Sequence, residues 1–259
     1  MRHHLKLLAK NLIKFTPTPV RISLSQKVDR LRKLIKVFSY ANNIGIEQLL
    51  WTIETVEFEY GHFLSFEQKS CLDKSGNPIP WYTYPAIEYL NQLDFSDKEI
   101  YEYGAGNSSL FWAKKAKCVT SIEDDKTWYC TIQEKQQENQ EILFIENAEE
   151  YVNSILRSNK KYDLIIIDGS CRLACAKVAV QCLVTGGLII LDNSDWYPET
   201  SKFLRDSGLI QVDFTGMGPI NYYTWTTSLF LGRDITLKAR SEFQPESGIA
   251  SLVQRVSPE

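Results

Sequence analysis

From residue 98 onward, short apolar runs alternate with stretches whose apolar positions recur at helical spacing. The runs cover 99–103, 118–123, 142–145, 162–168, 187–192, 210–214 and 228–232. Helical patterns fill the gaps between the first six, at 107–115, 126–138, 148–158, 172–183 and 198–207. Strand, helix, strand, repeated in this way, predicts an α/β fold built on a doubly wound, mostly parallel sheet. Only the turn-rich 215–227 separates the last two runs, so those two are expected to pair antiparallel.

The first eighty residues read differently. Leu5, Leu8 and Leu12 recur at helical spacing, with Lys6, Lys10 and Lys14 as a basic stripe, until Thr16-Pro17-Thr18-Pro19 breaks the pattern. A second amphipathic segment gathers Val28, Leu31, Leu34, Ile35 and Phe38 on one face, and a third runs from Ile46 to about Phe58. Lys74-Ser75-Gly76-Asn77-Pro78 is a turn cluster that marks a boundary. The expected organisation is a helical arm and cap over 1–80, a sheet domain over 81–235, and a tail over 236–259 without a readable signal.

Charge sharpens that division. The chain carries a net charge of −3, yet residues 1–40 hold ten Lys and Arg against the single acid Asp29. The remaining residues hold 19 basic and 31 acidic side chains. An acidic globule with a basic arm is not a nucleic-acid binder with a basic surface throughout. The arm is open to three readings: a solvated face, a dimer contact, or association with an acidic membrane surface.

Composition removes further classes. Three histidines, two of them at positions 3 and 4, exclude zinc sites built on paired histidines and leave His62 as the one interior candidate base. The six cysteines lack CxxC spacing and read as reduced, mostly small core residues. No stretch of eighteen apolar residues occurs, and Lys10 and Lys14 interrupt any apolar leader, so a cytoplasmic location is expected.

The first strand ends in Glu102-Tyr103-Gly104-Ala105-Gly106-Asn107-Ser108-Ser109 and opens a helix. Glycines belong there because the turn must admit a ligand against bare backbone. Ser109 stands where a dinucleotide fingerprint needs its third glycine. ExGxG after a first strand, with Glu123 closing the second, resembles the class I S-adenosylmethionine-dependent methyltransferases. Asn147-Ala148 after the third strand, Asp168 ending the fourth, and Gly186-Gly187 opening the fifth before Asp192-Asn193 follow the same order over residues 81–234.

The resemblance implies a Rossmann-like, seven-stranded methyltransferase sheet with helices on both faces and an antiparallel last strand. It makes 81–235 an S-adenosylmethionine-binding domain. Glu102 and the turn Gly104, Ala105, Gly106, Asn107 and Ser108 would meet the methionine part of the cofactor. Glu123, with Asp124 beside it, would accept from both ribose hydroxyls, and Asn147 and Ala148 would face the adenine. Asn107 and Ser108, in place of a further glycine, can cap a helix and present polar groups to a carboxylate.

Asp168, Asp192 and Asn193 are the candidate catalytic group, since ligands bind at the carboxyl ends of open α/β sheets. Catechol-type methyltransferases hold Mg²⁺ on residues so placed, and three hard oxygen donors suit that ion. Two other readings stay open: the carboxylates orient and deprotonate an acceptor without metal, or they only end strands and cap helices. Trp81, Tyr82, Tyr84, Tyr222, Tyr223 and Trp225 are candidate walls of an acceptor pocket, or core and lid packing. The implied activity is methyl transfer, expected on a small-molecule or glycan hydroxyl. An aminopropyl-type transferase and a non-catalytic binding module on the same fold are the alternatives.

Overall fold

The computed structural model describes residues 24–251. The Leu5/Leu8/Leu12 stripe and the Pro17/Pro19 break lie outside them. The described chain divides into two compact units between Ile53 and Glu54. In the first, α1 (Leu24–Ile44) is followed by Gly45, in the left-handed region at φ +97°, and by α2 (Ile46–Glu54). Val28, Leu31, Ile35 and Phe38 stay exposed along α1, as does Trp51 on α2. Among the described residues no helix is long and apolar enough to cross a membrane.

The second unit opens with a π-helical turn (Thr55–Glu59), α3 (His62–Gln68) and α4 (Tyr84–Asn91). The alternation of strands and helices follows. β1 (Glu99–Tyr103), α5 (Asn107–Ala113), β2 (Cys118–Glu123), α6 (Lys126–Gln133), β3 (Gln140–Phe144) and α7 (Ala148–Asn153) lead through a 3-10 turn (Ser154–Ser158) to β4 (Tyr162–Ile167). Next come α8 (Arg172–Ala179), β5 (Leu183–Leu191), α9 (Pro198–Asp206), β6 (Ile210–Gly216) and β7 (Trp225–Leu231). The seven strands form one sheet in the order β3-β2-β1-β4-β5-β7-β6. β1 to β5 pair parallel, and β7 inserts antiparallel between β5 and β6. The seven-stranded, mostly parallel sheet with an antiparallel closing pair is therefore the one expected.

The strands are buried because their side chains alternate between two cores. Ile100, Leu164, Ile166, Leu188, Ile190 and Leu229 point to one face, where Ile87 and Leu90 of α4 and Phe111 and Trp112 of α5 cover them. Tyr101, Tyr103, Ile165, Ile167, Ile189, Leu191 and Phe230 point to the other, under Tyr151 of α7, Cys175, Ala176 and Ala179 of α8 and Leu204 of α9. Both faces being covered, β4 can be a continuous Ile165-Ile166-Ile167 run with none of the three exposed.

Two boundaries move from their expected places, and one helix was not expected. β5 begins at Leu183, because Tyr162 already pairs with Leu183 before the register shifts, and Gly186-Gly187 lies inside the strand at that irregularity. β7 begins at Trp225, since Thr226, Thr227 and Ser228, polar by composition, face inward and are buried. The helix Tyr84–Asn91 carries Pro85 in its first turn, where a missing N–H costs nothing. Residues beyond 235 also have a place: Asp94 N–H donates to Lys238 O, and Arg240 N–H to Gln92 O.

Candidate active site at the carboxyl edge of the sheet

β1, β2, β4 and β5 end side by side, and a cavity of about 460 Å³ opens over them. Gly104, Ala105, Gly106, Asn107, Ser108, Glu123, Asp124, Asp168, Asp192 and Asn193 all line it. The topology thus collects at one edge residues separated by up to 89 positions in the chain. Glu102, Asn147 and Ala148 do not line it. Asn147 and Ala148 are exposed, and Asn147 caps α7 by accepting the Glu150 N–H at 3.0 Å.

The glycine turn is shaped by backbone contact. Gly104 sits at φ +94°, and a Cβ there would lie 2.8 Å from Gly169 N, so β1 and β4 meet backbone to backbone. Glu123 reaches across the turn and accepts three backbone N–H groups: Ala105 on Oε2 at 3.0 Å, and Asp124 and Asp125 on Oε1 at 3.0 and 2.8 Å. A carboxylate offers about four acceptor positions, so roughly one remains where two ribose hydroxyls were expected to bind. Burial pushes the Glu123 carboxyl up, and its backbone partners oppose that shift.

Glu102 lies fully buried beneath the turn. Ser109 and Ser121 hydroxyls both donate to its Oε2, and Ser109 Oγ in turn accepts the Gly106 N–H at 2.9 Å. Glu102 is therefore linked to the turn through Ser109, the residue occupying the third-glycine position. Burial raises its carboxyl to about 7. Asn107 does not cap α5; its amide donates to Ser70 Oγ at 2.8 Å and Cys71 O at 2.7 Å, drawing that segment over the cavity. Trp128 donates its indole N–H to Ala105 O at 2.7 Å and closes the turn from the α6 side.

At the other end, Asp192 Oδ1 accepts the Trp225 indole N–H at 3.0 Å and the Thr227 hydroxyl. Among the described residues nothing bonds to Asp192 Oδ2. Burial, then repulsion from Asp168, pushes the Asp192 carboxyl well above the usual range. Asp168 is also raised by burial but held back by the Arg172 guanidinium, 3.1 Å from its Oδ1. Arg172 is the functional residue the sequence did not announce. It also reaches Asn193 Oδ1 at 3.2 Å, so two of the three side chains expected to hold Mg²⁺ already face a cation. The site does not fit Mg²⁺.

The aromatic candidates separate. Trp81 and Tyr223 line the cavity, joined by Trp196, whose ring centroid lies 6.2 Å from that of Tyr223. Tyr82, Tyr84 and Trp225 are buried. His62 is buried away from the cavity, its Nδ1 3.0 Å from the Tyr84 hydroxyl, and burial lowers its pKa. It is a structural histidine here.

No protein-family model matches the chain, and no curated protein does. Solved structures are similar over part of it. A precorrin-6y C5,15-methyltransferase from Geobacter metallireducens is 15% identical, with a TM-score of 0.44 over 56% of this chain and 87% of its own. A precorrin-8w decarboxylase from Methanobacterium thermoautotrophicum is 16% identical, with a TM-score of 0.43 over 63% and 96%. A methyltransferase from Pyrococcus furiosus is 15% identical, with a TM-score of 0.42 over 56% and 80%. Likeness at this level adds nothing to what the strand order already shows.

Proposed function

We propose that this protein is an S-adenosylmethionine-dependent methyltransferase that acts on a hydroxyl of a small-molecule or glycan acceptor. One observation carries the reading. A glycine turn closed by a backbone-held glutamate faces, across one cavity, a carboxylate with a free oxygen and a raised pKa. The first half suits a nucleoside-bearing ligand, since bare backbone admits it and Glu123 keeps an acceptor position for a hydroxyl.

When bound, the cofactor supplies an electrophilic methyl group on a sulfonium. The protein's share is then alignment and removal of one proton. Asp192 is suited to receive the acceptor hydroxyl's proton, because burial and the neighbouring Asp168 raise its affinity for a proton, and its Oδ2 has no partner among the described residues. Its Oδ1 is fixed by Trp225 and Thr227, which leaves Oδ2 directed by that clamp. Trp81, Trp196 and Tyr223 offer flat faces on which a sugar or planar ring stacks.

Calorimetry with S-adenosylhomocysteine tests the cofactor half. Binding is expected, and Glu123→Ala weakens it roughly 10- to 150-fold, the loss of a hydrogen bond to a charged group. No heat at millimolar ligand overturns the reading. Product mass separates methyl from aminopropyl transfer, and binding without any turnover over a panel of hydroxyl acceptors favours a non-catalytic module.

A further inference from the structure

We infer that Arg172 is the resident cation of this site, a fixed guanidinium seated between the Asp168 and Asn193 side chains that a divalent cation was expected to use. Arg172 opens α8 and is buried, 9% exposed. Its Nε donates to Gly169 O at 3.0 Å. Nη2 donates to Asp168 O at 3.0 Å and Asp168 Oδ1 at 3.1 Å. Nη1 donates to Asp192 O and to Asn193 Oδ1 at 3.2 Å. A guanidinium has five N–H groups, and all five are spent on oxygens at the ends of β4 and β5. Tyr197 covers one face of the group, its ring centroid 4.5 Å from Cζ.

Two consequences follow. With no donor left over, Arg172 does not bind an acceptor; it is a positioning residue that clamps the two strand ends at a set separation. Five convergent oxygens with two nearby carboxylates are also the donor chemistry of a hard cation. The planar fork meets that chemistry at hydrogen-bond distance, and a lysine, with three donors on one nitrogen, cannot reach all five acceptors. The positioning of an acceptor rests on the proposed methyl transfer. The occupancy of the cation position does not.

Mn²⁺ titration of the full chain, followed by the paramagnetic signal of free ion, tests this apart from activity. The wild type is expected to bind no Mn²⁺ at millimolar concentration. Arg172→Ala is expected to gain one site, at least tenfold tighter than anything in the wild type, with waters completing the shell. Adding Asp168→Asn to that variant removes the gain. The unfolding midpoint of Arg172→Ala rises with Mn²⁺ while that of the wild type does not move. A wild-type Mn²⁺ site abolished by Asp168→Asn overturns the inference, and needs no arginine variant to fold. An Arg172→Ala protein that binds no better than wild type also overturns it. Either outcome leaves the S-adenosylhomocysteine titration unaffected, so the two readings fail separately.

Discussion

At the ends of β1 and β2, the carboxylate facing the cavity is held by main chain: three backbone N–H groups fix Glu123. At the ends of β4 and β5, carboxylates of the same kind are held by side chains: Arg172 on Asp168, Trp225 and Thr227 on Asp192. Backbone donors cannot be exchanged by substitution, and they demand close approach of the chain. Side-chain donors can be tuned one at a time, and they bring charge with them. The first arrangement suits an invariant ligand part, the second a reacting group whose proton affinity must be set. Substitutions at the two ends should therefore fail in different ways.

The largest effect is expected at the side-chain-held end. Asp192→Asn keeps an oxygen for Trp225 and Thr227 but cannot take up a proton. Turnover should fall about 10²- to 10⁴-fold, the usual contribution of a general base, while S-adenosylhomocysteine affinity changes less than threefold. A parallel loss of ligand binding would erase the contrast between the ends.

At the backbone-held end the expected failure is structural. Gly104→Ala strains a residue at φ +94° and drives its Cβ to 2.8 Å from Gly169 N. Strain of this sort costs roughly 1–3 kcal/mol, and the backbone clash adds to it. A drop in unfolding midpoint on the order of 10 °C is expected for a domain of this size, together with weaker ligand binding. A variant as stable as wild type would show that β1 and β4 are not locked together here.

These expectations divide along what the sequence displays. The sheet was legible because both of its faces are buried, so each strand is a compact apolar run, and the strand ends carry their acids visibly. Gly104, Gly106, Glu123, Asp168 and Asp192 could be placed at one edge from order alone. Strand starts were less legible, since Thr226 and Thr227 look solvent-facing until Asp192 is known to need their neighbourhood. Arg172 could not be read at all. One arginine opening a helix resembles any surface cation, and its five acceptors come from two strand ends that only pairing brings together. Trp128 and Trp196 were hidden likewise, their roles set by a carbonyl and a ring across the cavity.

The smallest effect concerns Glu102, which serves the backbone-held end from below. Its carboxyl is raised by burial from the ordinary 4.5 to about 7. Because the folded state keeps the proton to higher pH than the unfolded chain, folding stability from this group falls as pH rises from about 4.5 through about 7. Asp168 and Asp192 shift in the same direction and contribute the same sign. Glu102→Gln retains an oxygen for the Ser109 and Ser121 hydroxyls and carries no charge to bury. Its unfolding midpoint should match wild type near pH 4.5, exceed it by a few degrees at pH 8, and fall less steeply in between. The residual slope belongs to Asp168, Asp192 and Glu123, all raised by burial, so a further Asp192→Asn should flatten it again. If Glu102→Gln instead loses stability at every pH, the buried carboxylate is charged throughout, held by its two hydroxyl partners. Proton storage would then be confined to the Asp168 and Asp192 end, and the contrast between the two ends would widen.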